Sequence, residues 1–122
     1  MNIGATYTAE TLVKKENTAI ALGSGNLEVF ATPAMIALME NAAMNTVAPF
    51  LNESETTVGI LMNTTHIAAS AIGKRITAQA KLTAIEGKKL TFHIVAYDGE
   101  KCIGEGVHER FIVNKEKFMS KL

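Results

Sequence analysis

From Arg75 to Val113 the sequence turns back on itself twice at glycine, and this constrains the fold more than any other feature. Ile76, Ala78, Ala80, Leu82 and Ala84 alternate with Thr77, Gln79, Lys81 and Thr83, the period of two that marks a half-buried strand. Glu86-Gly87-Lys88-Lys89 and Asp98-Gly99-Glu100-Lys101 supply hairpin turns in which glycine takes a positive φ. The spacing predicts strands over Arg75–Ile85, Leu90–Tyr97 and Cys102–Val113. A longer one is expected over Thr56–Ala69, and Thr6–Val13, rich in β-formers, reads as the first. Only one long helix is expected, from Pro33 to Val47, with Met35, Leu38, Met39, Ala42, Thr46 and Val47 at helical spacing and Pro49 as a stop. Lys14 to Asn26 reads as a loop or short helical turn covering something, with Gly23-Ser24-Gly25 as its exit. The 122 residues allow a single domain over 1–122. The expected class is α+β, a curved antiparallel sheet of about five strands wrapped around one long central helix.

The helix carries the chemistry. Thr32 is a suitable N-cap and Pro33 fits the first helical position, where its missing N–H costs nothing. Between Met35 and Ala43 the only ionisable side chain is Glu40. Eight residues place Glu40 about 12 Å along the helix from Thr32, so the two cannot touch directly. They can line one groove with a polar group between them, and His66 in the next strand is the expected third member. Each has a plain structural reading on its own: a helix cap, a solvent-facing carboxylate, a satisfied strand histidine. Gly59 on its own is a β-bulge.

Bulk properties exclude several function classes. Twelve basic and twelve acidic residues leave no net charge, which argues against a nucleic-acid footprint. Local clusters at Lys14-Lys15, Lys74-Arg75, Lys88-Lys89 and Lys115 to Lys121 read as solvated surface, or as one contact to the phosphates of a large cofactor. The single cysteine, Cys102, allows neither an internal disulfide nor a thiolate metal cluster, and reads as inert. His93 and His108 lie on separate strands without ligands at metal spacing, so no metal site is expected. The first residues lack a basic region followed by an apolar run, and no membrane-length segment is present, so a cytoplasmic location is expected.

Four separated motifs then agree in order and spacing: Glu28 to Glu40, Thr57-Val58-Gly59, His66-Ile67-Ala68-Ala69 and Gly104-Glu105-Gly106-Val107-His108-Glu109-Arg110. Together, over roughly Ala9 to Phe118, they resemble the hotdog-fold acyl-CoA thioesterases of the fluoroacetyl-CoA thioesterase type. The resemblance implies a hotdog fold, hydrolysis of an acyl-CoA to free acid and CoA, and a catalytic set of Thr32, Glu40 and His66. It implies that Gly59 places the thioester, and homodimers or higher even-numbered assemblies with sites near the subunit interface. CoA enters only as part of the substrate, without a separate cofactor. Thioester hydrolysis needs an attacking group, a base and donors for the developing oxyanion. His66 exchanges protons near neutral pH. Glu40 can orient it or attack the carbonyl, and is preferred to Thr32 as attacker, with Thr32 as nucleophile or anchor. Arg110 is either structural or a substrate contact. The cover from Glu16 to Asn26 offers Ala19, Ile20, Ala21 and Leu22 but no bulky closing side chain. A general short-chain or aryl acyl group is therefore as well suited as fluoroacetyl. The competing readings are a non-catalytic acyl-CoA-binding module, which needs neither Glu40 nor His66, and a hotdog dehydratase or hydratase, for which no signature is present.

Overall fold

A computed structural model describes all 122 residues. The chain runs through β1 (Thr6–Leu12), a 3-10 turn (Lys15–Asn17), α1 (Ala19–Leu22), α2 (Thr32–Val47) and a second 3-10 turn (Ala48–Phe50). It continues through β2 (Glu55–His66), β3 (Arg75–Glu86), β4 (Lys89–Asp98), β5 (Lys101–Asn114) and α3 (Lys115–Ser120). Gly87 and Gly99 adopt φ of 64° and 61°, so β3, β4 and β5 follow one another as tight hairpins. β1 joins outside β3 and β2 outside β5, giving one antiparallel sheet in the order β1-β3-β4-β5-β2. One long side of β2 is thereby left without a strand partner.

Register shifts at Gly59/Leu61, Leu82/Ala84 and Ala96/Tyr97 bend the sheet. The concave side receives α2, whose Met35, Met39, Ala42, Ala43 and Val47 are buried against Ala78, Ala80 and Leu82 of β3 and Phe92, Ile94 and Ala96 of β4. Alanine on both surfaces brings helix and sheet backbones close, and the methionines fill the remaining gaps. Thr46, the polar residue on this face, returns its hydroxyl to the Ala42 carbonyl at 2.7 Å and so buries no unsatisfied group. At Gly104 a β-carbon would stand 2.5 Å from the Thr65 carbonyl and 2.7 Å from the Met35 sulfur. Only a residue without a side chain lets β5 pair with β2 here while Met35 of the helix packs on it. The arrangement is the hotdog architecture.

Apart from one-residue shifts at strand ends, three features differ from the sequence expectation. α2 begins at Thr32, with Ala31 as its N-cap and Pro33 at the second helical position, so Thr32 is not the cap. β2 stops at His66 and does not continue to Ala69. Ile67 still donates to the Ile103 carbonyl, but the chain then leaves β5: Ser70 accepts from Phe30 N–H, and Ala71 bridges Val29. The charged tail after Asn114 is helical, its first turn held by the Asn114 side chain accepting from Lys117 N–H at 3.0 Å. The covering segment contains the expected short helix, capped by the Thr18 hydroxyl and ended at Gly23 with φ 73°.

Candidate active site

The first turn of α2 and the end of β2 meet at two polar side chains. Thr32 Oγ1 lies 2.8 Å from His66 Nδ1. This contact explains why Thr32 does not cap the helix: its hydroxyl faces the sheet, and Ala31 occupies the cap position with an extended backbone. The other ring nitrogen, His66 Nε2, is buried and has no hydrogen-bond partner. Burial lowers the His66 pKa below the ordinary histidine value, with the nearby Ala68 backbone partly opposing the shift. A neutral imidazole with one free nitrogen is the form a general base requires. Thr32 and His66 line a cavity of about 290 Å³ with Ala19, Ser24, Val29, Phe30, Ile67, Ala68 and Ala69. The Ala19 and Ser24 walls come from the covering segment, whose small side chains leave the space open.

Glu40 is not part of this pair. Two helical turns on, its Oε2 stands over Gly59, 3.1 Å from where a Gly59 β-carbon would lie. His108 Cε1 and Arg110 Nη1 ring the same point at 3.3 and 3.4 Å. Seven residue steps along the strand take Gly59 to His66, roughly 23 Å. The expectation that His66 bridges Thr32 and Glu40 within one chain is therefore corrected: the helix positions Glu40 over the middle of β2 and Thr32 over its end.

The cluster that closes on Gly59 is built by strand register. Gly59 pairs with Arg110 and Met62 with His108, so alternation directs His108 and Arg110 to the inner face beneath the helix. Arg110 Nε donates to Thr57 Oγ1 at 2.8 Å and Nη2 to the Thr57 carbonyl at 2.9 Å. Nη1 lies 3.2 Å from His108 Nε2, and His108 Nδ1 lies 2.7 Å from the Leu61 carbonyl. Burial lowers the pKa of both; the Glu40 charge opposes that shift in each, and the Arg110 charge adds to it at His108. His108 and Thr57 were not singled out as site residues from the sequence. The signal was the i, i+2 spacing of His108 and Arg110 on a strand, which puts both on one face.

Elsewhere, His93 pairs with Glu105 at 2.7 Å on the exposed side of the sheet, and Cys102 is a half-buried free thiol. No three His, Cys, Asp or Glu side chains come together as a metal site, and no helix is long and apolar enough to cross a membrane.

Comparison with known proteins gives consistent matches. A family model for the fluoroacetyl-CoA-specific thioesterase matches residues 13–116. The fluoroacetyl-CoA thioesterase of Streptantibioticus cattleyicolor is 35% identical over 128 aligned positions, covering 100% of this chain and 92% of that protein. A solved structure of the fluoroacetyl-CoA thioesterase FlK superposes with a TM-score of 0.94 at 35% identity, covering 99% of this chain and 94% of the other. A thioesterase superfamily member from Thermus thermophilus gives 0.90 at 29% identity, over 98% and 89% of the two chains.

Proposed function

The chain belongs to the fluoroacetyl-CoA-specific thioesterase family, and from that premise we propose that it hydrolyses an acyl-CoA to free acid and CoA through Thr32, Glu40 and His66. The observation that carries the reading is the Thr32–His66 contact of 2.8 Å on the wall of an open cavity, with Nε2 left free. In this reading Nδ1–H donates to Thr32 Oγ1 and Nε2 is left as base. Glu40 attacks the thioester carbonyl, in preference to Thr32, whose hydroxyl is already engaged. The C–S bond breaks, and an acyl–Glu40 anhydride and the CoA thiolate form. His66 Nε2 takes a proton from the water that cleaves the anhydride and passes it to the thiolate. Gly59, without a side chain, lets the thioester approach its backbone N–H.

Glu40 and His66 are too far apart on one chain to act together, so the site is proposed to form across a homodimer. β2 exposes an unpaired edge, and Ile60 and Leu61 on it are 51% and 44% exposed. An apolar open edge is a template for pairing with a second copy. Antiparallel pairing of β2 about a twofold axis between Met62 and Asn63 sets His66 opposite Gly59 of the partner subunit and so near the partner's Glu40. The proposed setting is cytoplasmic, with CoA as part of the substrate and no separate cofactor. The cover's small residues suit a short-chain or aryl acyl group.

A free-thiol release assay over a panel of acyl-CoAs tests the reading. Release from at least one short-chain or aryl ester is expected. Tight binding of acyl-CoA without release would identify a binding module instead. Rapid quenching followed by peptide mass analysis tests the attacking group, and an acyl mass on the Thr32 peptide, absent from Glu40, would reassign it.

A further inference from the structure

We propose that His108 is a positioning residue: as a neutral imidazole protonated on Nδ1, it holds the Arg110 guanidinium beside Glu40 over Gly59. The hydrogen bonds fix this tautomer. The Leu61 carbonyl only accepts, so the 2.7 Å contact requires the proton on Nδ1. Nε2 then carries a lone pair, and Arg110 Nη1 at 3.2 Å donates to it. With Thr57 accepting from Nε and Nη2, all three guanidinium nitrogens are held. Both residues are enclosed, His108 at 1% and Arg110 at 7% exposure, so water cannot substitute for either partner. Two guanidinium N–H groups remain unused, one of them on Nη1, the nitrogen nearest Gly59 and Glu40.

The device is sensitive to protonation. A proton on Nε2 would remove the acceptor from Nη1 and set two cations against each other. The groups facing the ring are Glu40 from α2, Arg110 on its own strand, the Leu61 carbonyl from β2 and the uncharged Phe92 ring from β4, with centroids 6.2 Å apart. Only Glu40 favours the imidazolium electrostatically from a side chain. Protonation of Nε2 therefore loosens Arg110.

This inference rests on the thioesterase reading for its effect on turnover, but not for the tautomer, and the test separates the two. Nitrogen-15 NMR of the full-length protein should show His108 as the Nδ1–H tautomer at neutral pH. An exchange-protected Arg110 Nε–H signal should be lost as His108 titrates. In the thiol-release assay, His108→Leu should lower kcat/KM by roughly tenfold to a hundredfold, the range expected for a hydrogen bond to a charged group. His108→Gln, whose Oε1 can occupy the Nε2 position, should stay within about threefold of wild type. An Nε2–H tautomer would overturn the proposal, as would His108→Leu with wild-type kcat/KM and pH profile. Equal losses in folded Gln and Leu variants would do the same. If the wild-type protein releases no thiol, the thioesterase reading fails, while the NMR measurements still decide the role of His108.

Discussion

Thr32 sits at a helix start yet does no capping, and that separates its chemical role from its structural one. A hydroxyl that caps a helix costs about 1 kcal/mol when removed. Here no backbone N–H donates to it, so Thr32→Ala should shift the melting transition by clearly less than a lost cap, read by thermal unfolding. Turnover should fall far more, because His66 Nδ1 loses its only side-chain partner. Thr32→Ser should keep most of it, and an Ala variant with wild-type turnover would remove Thr32 from the set. The buried His108 and the half-buried His66 make a second prediction. Both have folded-state pKa values lowered mainly by burial. The unfolded chain, with ordinary histidines near 6.5, binds those protons first as pH falls. Stability is therefore fully present above the ordinary histidine pKa and declines below it, until the folded-state values are reached. Melting temperature should drop as the pH falls through about 6.5, and less steeply in His108→Gln.

Among the elements, β5 is the least tolerant of change. A β-carbon at Gly104 meets a backbone carbonyl at 2.5 Å as well as the Met35 side chain, and backbone cannot rotate away as a flexible side chain can. Gly104→Ala should destabilise by about 1–3 kcal/mol or more, measured by denaturant unfolding. Substitution at Gly87 with its positive φ should cost by strain alone, since nothing lies within 4 Å of its β-carbon. The hairpins were legible in the sequence because glycine and a period of two announce themselves locally. α2 was legible for the same reason, through its 3.6-residue apolar spacing. The end of β2 was not, because it is set by Phe30 and Val29 drawing Ser70 and Ala71 away from the sheet. The tail helix is short, charged and held by one Asn cap, which leaves no periodic signal to read. Thr32, Glu40, His66, Gly59 and Arg110 could each be picked out from motifs. Their division into two clusters could not, because it follows from how α2 is registered over β2.

At the scale of the whole molecule the question is what covers the open edge of β2. A twofold homodimer is the expected answer, the commonest symmetric assembly. Light scattering at micromolar concentration should report about 26 kDa, twice the chain mass of 13.1 kDa, or a higher even multiple. A 13 kDa particle would contradict it. In an otherwise folded protein His66→Ala should lower kcat by at least about 10²-fold, the usual contribution of acid–base catalysis, and Glu40→Ala by at least as much through loss of the attacking group.

The separation of Glu40 from His66 along β2 also makes the two lesions complementary. If each reaction centre takes its histidine from one subunit and its carboxylate from the other, a hybrid of the two inactive variants confines both defects to one centre. The opposite centre is then wholly native. Mixing the two variants under conditions that allow subunit exchange should restore about a quarter of the native centres, since half of the randomly formed dimers are hybrids with one intact centre each. Two dead proteins would together make a working one.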